Sequence, residues 1–332
     1  VIAGRPSATA LLVALSVWRA GARYGLPDCA IRIAGEALLH AGGVWPWLRA
    51  CARWAPGRWL LTALEALLLP GLAVHHCRRK RWLWEALQAR AQARHLIWLG
   101  VGFDGLARAL RARDPHLEVT ELDHPDSLAL RLQLPAVQAD PGLPLQPLAL
   151  PDGAGTLVRL CAGAPAMLIA EGLLMYLRPR ALLRLLRALA RLSLPPLLWI
   201  SALAPVHPGG RGFARAHGLT RRWLHARGEP FRWRLPPERL QALLRRHGFL
   251  TEALWTGEGY GEYVLCAAPA VRADRCATAP AKAAAQPLPP ASGRGSAGAA
   301  AALPGPARSP AEAPPPAPAP ALRHTGSRTA RN

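Results

Sequence analysis

Residues 95–123 read HLIWLGVGFDGLARALRARDPHLEVTELD. The apolar run at 95–99 is unbroken, as in a strand buried on both faces. It stops at Gly100-Val101-Gly102. A stretch rich in Leu, Ala and Arg follows, all good helix formers. A second apolar run then closes on Asp123. The order is strand, glycine-rich turn, helix, and a strand with an acid at its tip. Glycine lets backbone approach a ligand with no Cβ in the way. A strand-end carboxylate can accept hydrogen bonds from ribose hydroxyls. The unit predicts a site for an adenosine-bearing cofactor; the alternative is a tight turn with no ligand.

Spacing alone leaves the cofactor open. Gly100, Gly102 and Gly105 fit G-x-G-x-x-G, and Asp123 follows at the distance expected of a nicotinamide dinucleotide site. An NAD(P)-dependent oxidoreductase is therefore one reading. Against it, neither Lys80 nor Lys282 has a tyrosine four residues before it.

Working outward, residues 95–268 alternate in the α/β manner. Strands are predicted near 95–100, 117–122, 145–150, 166–170, 196–201, 250–255 and 262–267. Helices are predicted near 103–113, 125–133, 153–162, 179–193 and 236–247. Arg180, Arg184, Arg187 and Arg191 recur at spacings of one helix turn, which is one solvated helix side. Strands joined by helices imply a mostly parallel, twisted sheet with right-handed crossovers. Ligands then sit at the C-terminal strand ends, where Gly100, Asp123 and Glu171 all fall.

Three motifs occur in order: LGVGFD at 99–104, ELDHP at 121–125 and AEGLLMYL at 170–177. Together they resemble the leucine carboxyl methyltransferase family of S-adenosylmethionine-dependent enzymes. PGLAVHHCRRKRW at 70–82 resembles that family's helical segment before the first strand, and residues 221–249 resemble its late segment. The resemblance spans about residues 5–268. It implies a Rossmann-like class I methyltransferase fold with a helical N-terminal extension, S-adenosylmethionine as cofactor, and a carboxylate acceptor on a small molecule or a protein C-terminus.

The resemblance also implies roles. Gly100 and Gly102 would bring backbone close to the donor's amino-acid portion. Asp104 would either bind the donor's ammonium group or cap the next helix. Asp123 would accept both ribose hydroxyls; its plainer reading is a solvated strand-end acid. Arg79 would meet the donor's carboxylate in a bidentate contact, with Arg81 close enough to blur the register and a solvated basic patch as the alternative. Glu171 and Tyr176 are the catalytic candidates. Glu171 would orient the donor's methionine portion or face the acceptor, or else pair with a nearby arginine. Tyr176 is either pocket wall or core. The family's adenine-contacting aspartate is absent: Ala149 stands near its place, and Asp152 is displaced by about three positions. Gly105 likewise replaces the family's common hydroxyl residue. A non-catalytic relative is thus another reading.

Methyl transfer from a sulfonium is an in-line displacement from an already activated donor. The protein must position the reactants and exclude water. A carboxylate acceptor is ionised at neutral pH, so no general base is obligatory.

The net charge of +21 invites a nucleic-acid partner. However, the basic residues are dispersed, and all but Lys80 and Lys282 are arginine. Together with the alanine and proline excess, this reads as base-composition bias, and no specific nucleic-acid partner is expected. Six scattered cysteines without a Cys-x-x-Cys pair argue against disulfide scaffolding or zinc, and fit a cytoplasmic protein. Residues 59–77 approach the length of a membrane span, but Glu65, Pro70-Gly71 and His75-His76 interrupt them. No membrane span is expected.

Three regions follow. Residues 1–90 read as a helical lid or extension packed on the core, with helices near 9–20, 29–42, 58–69 and 80–91. They hold seven of the twelve tryptophans, read either as packing anchors or as an aromatic lid over the acceptor pocket. Residues 91–269 form the cofactor-binding α/β domain. Residues 270–332, rich in Ala, Pro and Arg without aromatics, read as a disordered tail.

Overall fold

The computed structural model describes residues 4–90 and 94–270, apart from residues 163, 208, 211, 215–217 and 258. The expected tail, residues 270–332, lies outside the described residues from 271 onward. Five helices come first: α1 (Ala8–Ala20), α2 (Asp28–His40), α3 (Trp45–Cys51), α4 (Ala55–Leu68) and α5 (Leu72–Gln88). The α/β part follows as β1 (His95–Leu99), α6 (Leu106–Arg113), β2 (Glu118–Asp123), α7 (Pro125–Arg131), α8 (Pro135–Gln138), β3 (Leu145–Pro147), α9 (Ala154–Cys161), β4 (Ala166–Ala170), α10 (Pro179–Ala190), β5 (Leu197–Leu203), α11 (Gly218–Ala226), α12 (Pro237–Arg246), β6 (Phe249–Thr256) and β7 (Glu262–Pro269).

The strands form one seven-stranded sheet in the order β3-β2-β1-β4-β5-β7-β6. Strands β1 to β5 pair in parallel. Strand β7 runs antiparallel to β5, and β6 antiparallel to β7. This is the mostly parallel, Rossmann-like sheet with flanking helices that the sequence predicted, with β7 as its one reversed strand. The chain order reverses between β1 and β4, and in open α/β sheets the ligand crevice opens at such a switch point.

Side chains alternate across the pleat. Ile97 and Leu99 face one core with Leu168, Leu185, Leu189 and Leu244. Leu96 and Trp98 face the other with Leu83, Leu106 and Trp199. A third cluster joins α1 and α2 to Phe103, Leu130 and Leu134, so the N-terminal helices are fastened to the strand-end face of the sheet. Helix α10 buries Leu182, Leu185, Leu186 and Leu189 and leaves Arg180, Arg184 and Arg187 in solvent, as their spacing predicted.

Several expectations need correcting. Strand β3 ends at Pro147, short of the predicted 150, because the chain turns through Pro151 and Gly153. Helix α5 begins at Leu72, eight residues before the helix predicted from 80. The resemblance of residues 70–82 to a helical segment already implied the earlier start. Helices α3, α8 and α11 were not foreseen. The N-terminal tryptophans divide: Trp45 and Trp84 are buried anchors, whereas Trp47, Trp54 and Trp59 are exposed.

Candidate active site

Helix α5 lays its polar turn beneath the switch point. Arg79 is 4% exposed and Lys80 5%, which a cation tolerates only with anionic partners. Those partners arrive from distant segments. Arg79 Nε donates to Glu171 Oε1 at 2.7 Å, and a terminal nitrogen donates to Glu262 Oε2. Lys80 Nζ donates to Asp104 Oδ2 and to both Glu171 oxygens, at 3.2 and 3.3 Å. His75 Nε2 meets Glu262 Oε2 at 2.9 Å, and His76 Nδ1 meets Ser16 Oγ at 3.0 Å.

The charges adjust each other. Burial by itself would raise Glu171, but Lys80 and Arg79 hold it below the usual carboxylate range. Glu262 is likewise buried, and Arg79 and His75 hold its carboxyl far down. Lys80 is pushed up by Asp104 and Glu171 against its burial. Burial lowers His75 and lowers His76 strongly, the latter with Arg79 adding to the effect. Both imidazoles are neutral at neutral pH. Glu262 Oε1 is buried with no hydrogen-bond partner among the described residues.

The glycine turn forms the opposite wall. Gly100 and Gly102 take φ of +70° and +53°, which side chains disfavour. Gly105 serves packing instead: a Cβ there would lie 2.6 Å from Ala30 Cα, so its glycine lets α2 cross α6 closely. Asp123 accepts from the Gly102 and His124 N–H groups, the latter at 2.6 Å. Burial raises its carboxyl, while those two N–H groups pull it back.

All the sequence-predicted site residues line one cavity of about 730 Å³: Arg79, Gly100, Gly102, Asp104, Asp123, Glu171 and Tyr176. The alternatives left open resolve as follows. Asp104 accepts from the Leu106 N–H at 2.6 Å, at the start of α6, and also holds Lys80. Glu171 is in an ion pair with Arg79 and Lys80. Arg79 is inside, whereas Arg81 is outside, on Glu85 and the Gly25 carbonyl; the basic run is no solvated patch. Tyr176 is cavity wall, donating to Thr9 Oγ1 at 3.3 Å. Ala149 lines the cavity, whereas Asp152 is exposed and does not reach it. The aromatic lining comes from Trp98, Phe103, Tyr176, Phe213, Trp223 and Phe231, and none of the seven N-terminal tryptophans contributes.

Sequence reasoning missed Lys80, Glu262 and Glu229. Glu262 begins β7, and the antiparallel direction of β7 brings that first residue to the C-terminal ends of the parallel strands, opposite Leu203. Two buried cations on α5 were the signal that a further carboxylate had to exist. Glu229 accepts from the Ala8 N–H at 2.9 Å, the Thr9 N–H at 3.1 Å and the Thr9 hydroxyl at 2.6 Å. It thereby ties the 228–232 loop to the start of α1 over the cavity.

No family model matches the chain, and no curated protein matches its sequence. Among solved structures it is similar to an O-methyltransferase family protein from Burkholderia thailandensis, at 16% identity and a TM-score of 0.42 over 75% of each chain. It is similar to the pyocyanin biosynthetic protein PhzM at 15% identity and a TM-score of 0.39, over 68% of this chain and 67% of that one. It is also similar to human N-acetylserotonin methyltransferase in complex with SAM, at 13% identity and a TM-score of 0.38, over 72% and 67%. These likenesses are distant, and the chemistry of the site rests on this chain's own residues.

Proposed function

We propose that this chain is an S-adenosylmethionine-dependent O-methyltransferase, with a carboxylate as its acceptor. The observation that carries the reading is the convergence of Gly100, Gly102, Asp123, Glu171 and Arg79 on one cavity at the sheet's switch point. The cavity volume suits a ligand of cofactor size plus a small acceptor. Two positive-φ glycines offer backbone rather than side chains to it. Asp123 keeps lone pairs beyond its two backbone bonds, and Glu262 Oε1 is an acceptor in want of a donor.

When bound, S-adenosylmethionine supplies an activated methyl group. Asp123 would accept from the ribose hydroxyls. Arg79 would receive the donor's carboxylate through the N–H groups it has not given to Glu171 and Glu262. Glu171, held by Arg79 and Lys80, would position the donor's amino-acid portion. Tyr176 and Phe231 would wall the acceptor side, with α1 and the 228–232 loop excluding water. Asp104, already engaged with Lys80 and the Leu106 N–H, supports the turn. Helices α1, α2, α4 and α5 contribute lining residues, and α1 would act as the site's lid. With Ala149 in place of a carboxylate, adenine would be held by the apolar wall of Leu148 and Leu150.

A hydroxyl acceptor is the second reading. His76 is the observation behind it, because its imidazole lines the cavity and can hydrogen-bond a hydroxyl there. Calorimetry with S-adenosylmethionine and its demethylated product tests the proposal: both should bind, and failure of both at millimolar concentration would overturn it. Labelled methyl donor incubated with cell extract then separates the acceptors. An ester releases labelled methanol in mild alkali; an ether does not.

A further inference from the structure

Helix α4, APGRWLLTALEALL, is apolar around most of its circumference, yet it buries only Gly57 and Leu61. A helix of that composition ordinarily lies inside a core or in a membrane. Trp47 and Trp59 are 74% exposed and Leu67 75%, and Trp54, Leu60 and Leu68 are exposed beside them. An apolar surface of this kind marks an interaction site.

The charges say what kind. Glu65 is the only acid between residues 41 and 74. It is turned inward, bonding Arg19 at 3.0 Å and the Ala73 N–H at 2.9 Å. Arg53 and Arg58 are exposed around the start of α4, Arg58 one position before Trp59, and neither pairs with a carboxylate among the described residues. Tryptophan and leucine flanked by arginine is the composition of segments that lie at lipid headgroup level. At 14 residues α4 is too short to span a bilayer. Helix α5 departs from it at 89°, and no single helix among the described residues is long and apolar enough to cross a membrane. The geometry suits lying on a bilayer. Leu68, at the exposed end of α4, and Leu69 also line the cavity, so the apolar face runs into the site's wall.

We propose that α3 and α4 seat this protein on an anionic lipid surface, with Trp47, Trp59 and Leu67 at headgroup level and Arg53 and Arg58 on lipid phosphates. The proposal does not depend on the activity argued above.

The test is sedimentation of the full chain with phosphatidylcholine vesicles and with vesicles containing phosphatidylglycerol. The wild type should pellet with the anionic vesicles. The triple variant Trp47→Ser, Trp59→Ser, Leu67→Ser changes only exposed side chains and no charge. It should bind about tenfold more weakly or worse. Equal binding by the variant would assign the affinity to basic residues elsewhere and overturn the proposal, as would no binding by the wild type. Brominated phospholipid in the same vesicles should quench wild-type tryptophan fluorescence; absence of quenching would also overturn it. So would light scattering that finds a dimer dissociated by the triple variant, which would assign the face to a second copy of this chain.

Discussion

Glu171 and Asp123 both reach the cavity from strand ends, but their partners differ and so should the effects of losing them. Asp123 is bonded to two backbone N–H groups of the turns it supports. Asp123→Ala should weaken donor binding by about 2–3 kcal/mol, roughly 30- to 150-fold, since charge-assisted bonds go and the hydroxyls are left unpaired. Glu171 instead neutralises Arg79 and Lys80. Glu171→Gln should lower the saturated rate more than it raises the donor's dissociation constant, and it should lower the melting temperature too, because it leaves buried cations short of an anion. Calorimetry, steady-state kinetics and a thermal melt of both variants read all three quantities. Donor binding by Asp123→Ala equal to wild type would remove the cofactor from this cavity. These two acids were legible in the sequence because each closes an apolar strand. Lys80 and Glu262 were not, because their meaning lies in pairings across 91 and 183 residues, which no local pattern records.

At the scale of elements, the strands were legible wherever an apolar run is unbroken, as in β1, β4 and β5, and uncertain where the chain is short and proline-bounded, as in β3. Helix α5 was foreseen only in part because periodicity weights His, Arg and Lys as solvent-facing, and here they face acids inside the protein. Gly105 carries a related lesson. In sequence it reads as a ligand glycine, whereas its role is the close crossing of α2 and α6. Gly105→Val would drive a side chain into the Ala30 backbone. It should cost about 1–3 kcal/mol, as overpacking does, with donor binding changed far less than stability. Urea denaturation beside calorimetry checks this; an unchanged midpoint would show that α2 can yield.

For the molecule as a whole, the buried cluster ties stability to pH. The folded protein keeps His76 neutral, below the ordinary imidazole value of 6.5. Its contribution is full above that value and is lost as pH falls beneath it, because the unfolded chain takes the proton first. Glu171 and Glu262 are also depressed, so they act in the same direction in the window below the ordinary carboxylate value of 4.5, where the raised Asp123 opposes them. Between about pH 7 and about pH 5.5 the unfolding free energy should fall by up to about 1.4 kcal/mol per pH unit for each buried histidine. Denaturation curves of wild type and His76→Gln test this; the variant should show the shallower slope, and equal slopes would place the titration elsewhere.

The same cluster has a consequence for what the cavity will accept. Along the cavity lining three cations, Arg79, Lys80 and Arg232, stand against five carboxylates, Asp104, Asp123, Glu171, Glu229 and Glu262, so the lining is short of positive charge. In a medium of low polarity that imbalance is felt well beyond contact distance. A guest with a net positive charge, as a sulfonium amino acid carries, reduces the deficit; an anionic guest of the same shape would deepen it. The lining should therefore favour cationic over anionic guests, whichever hydrogen bonds they make.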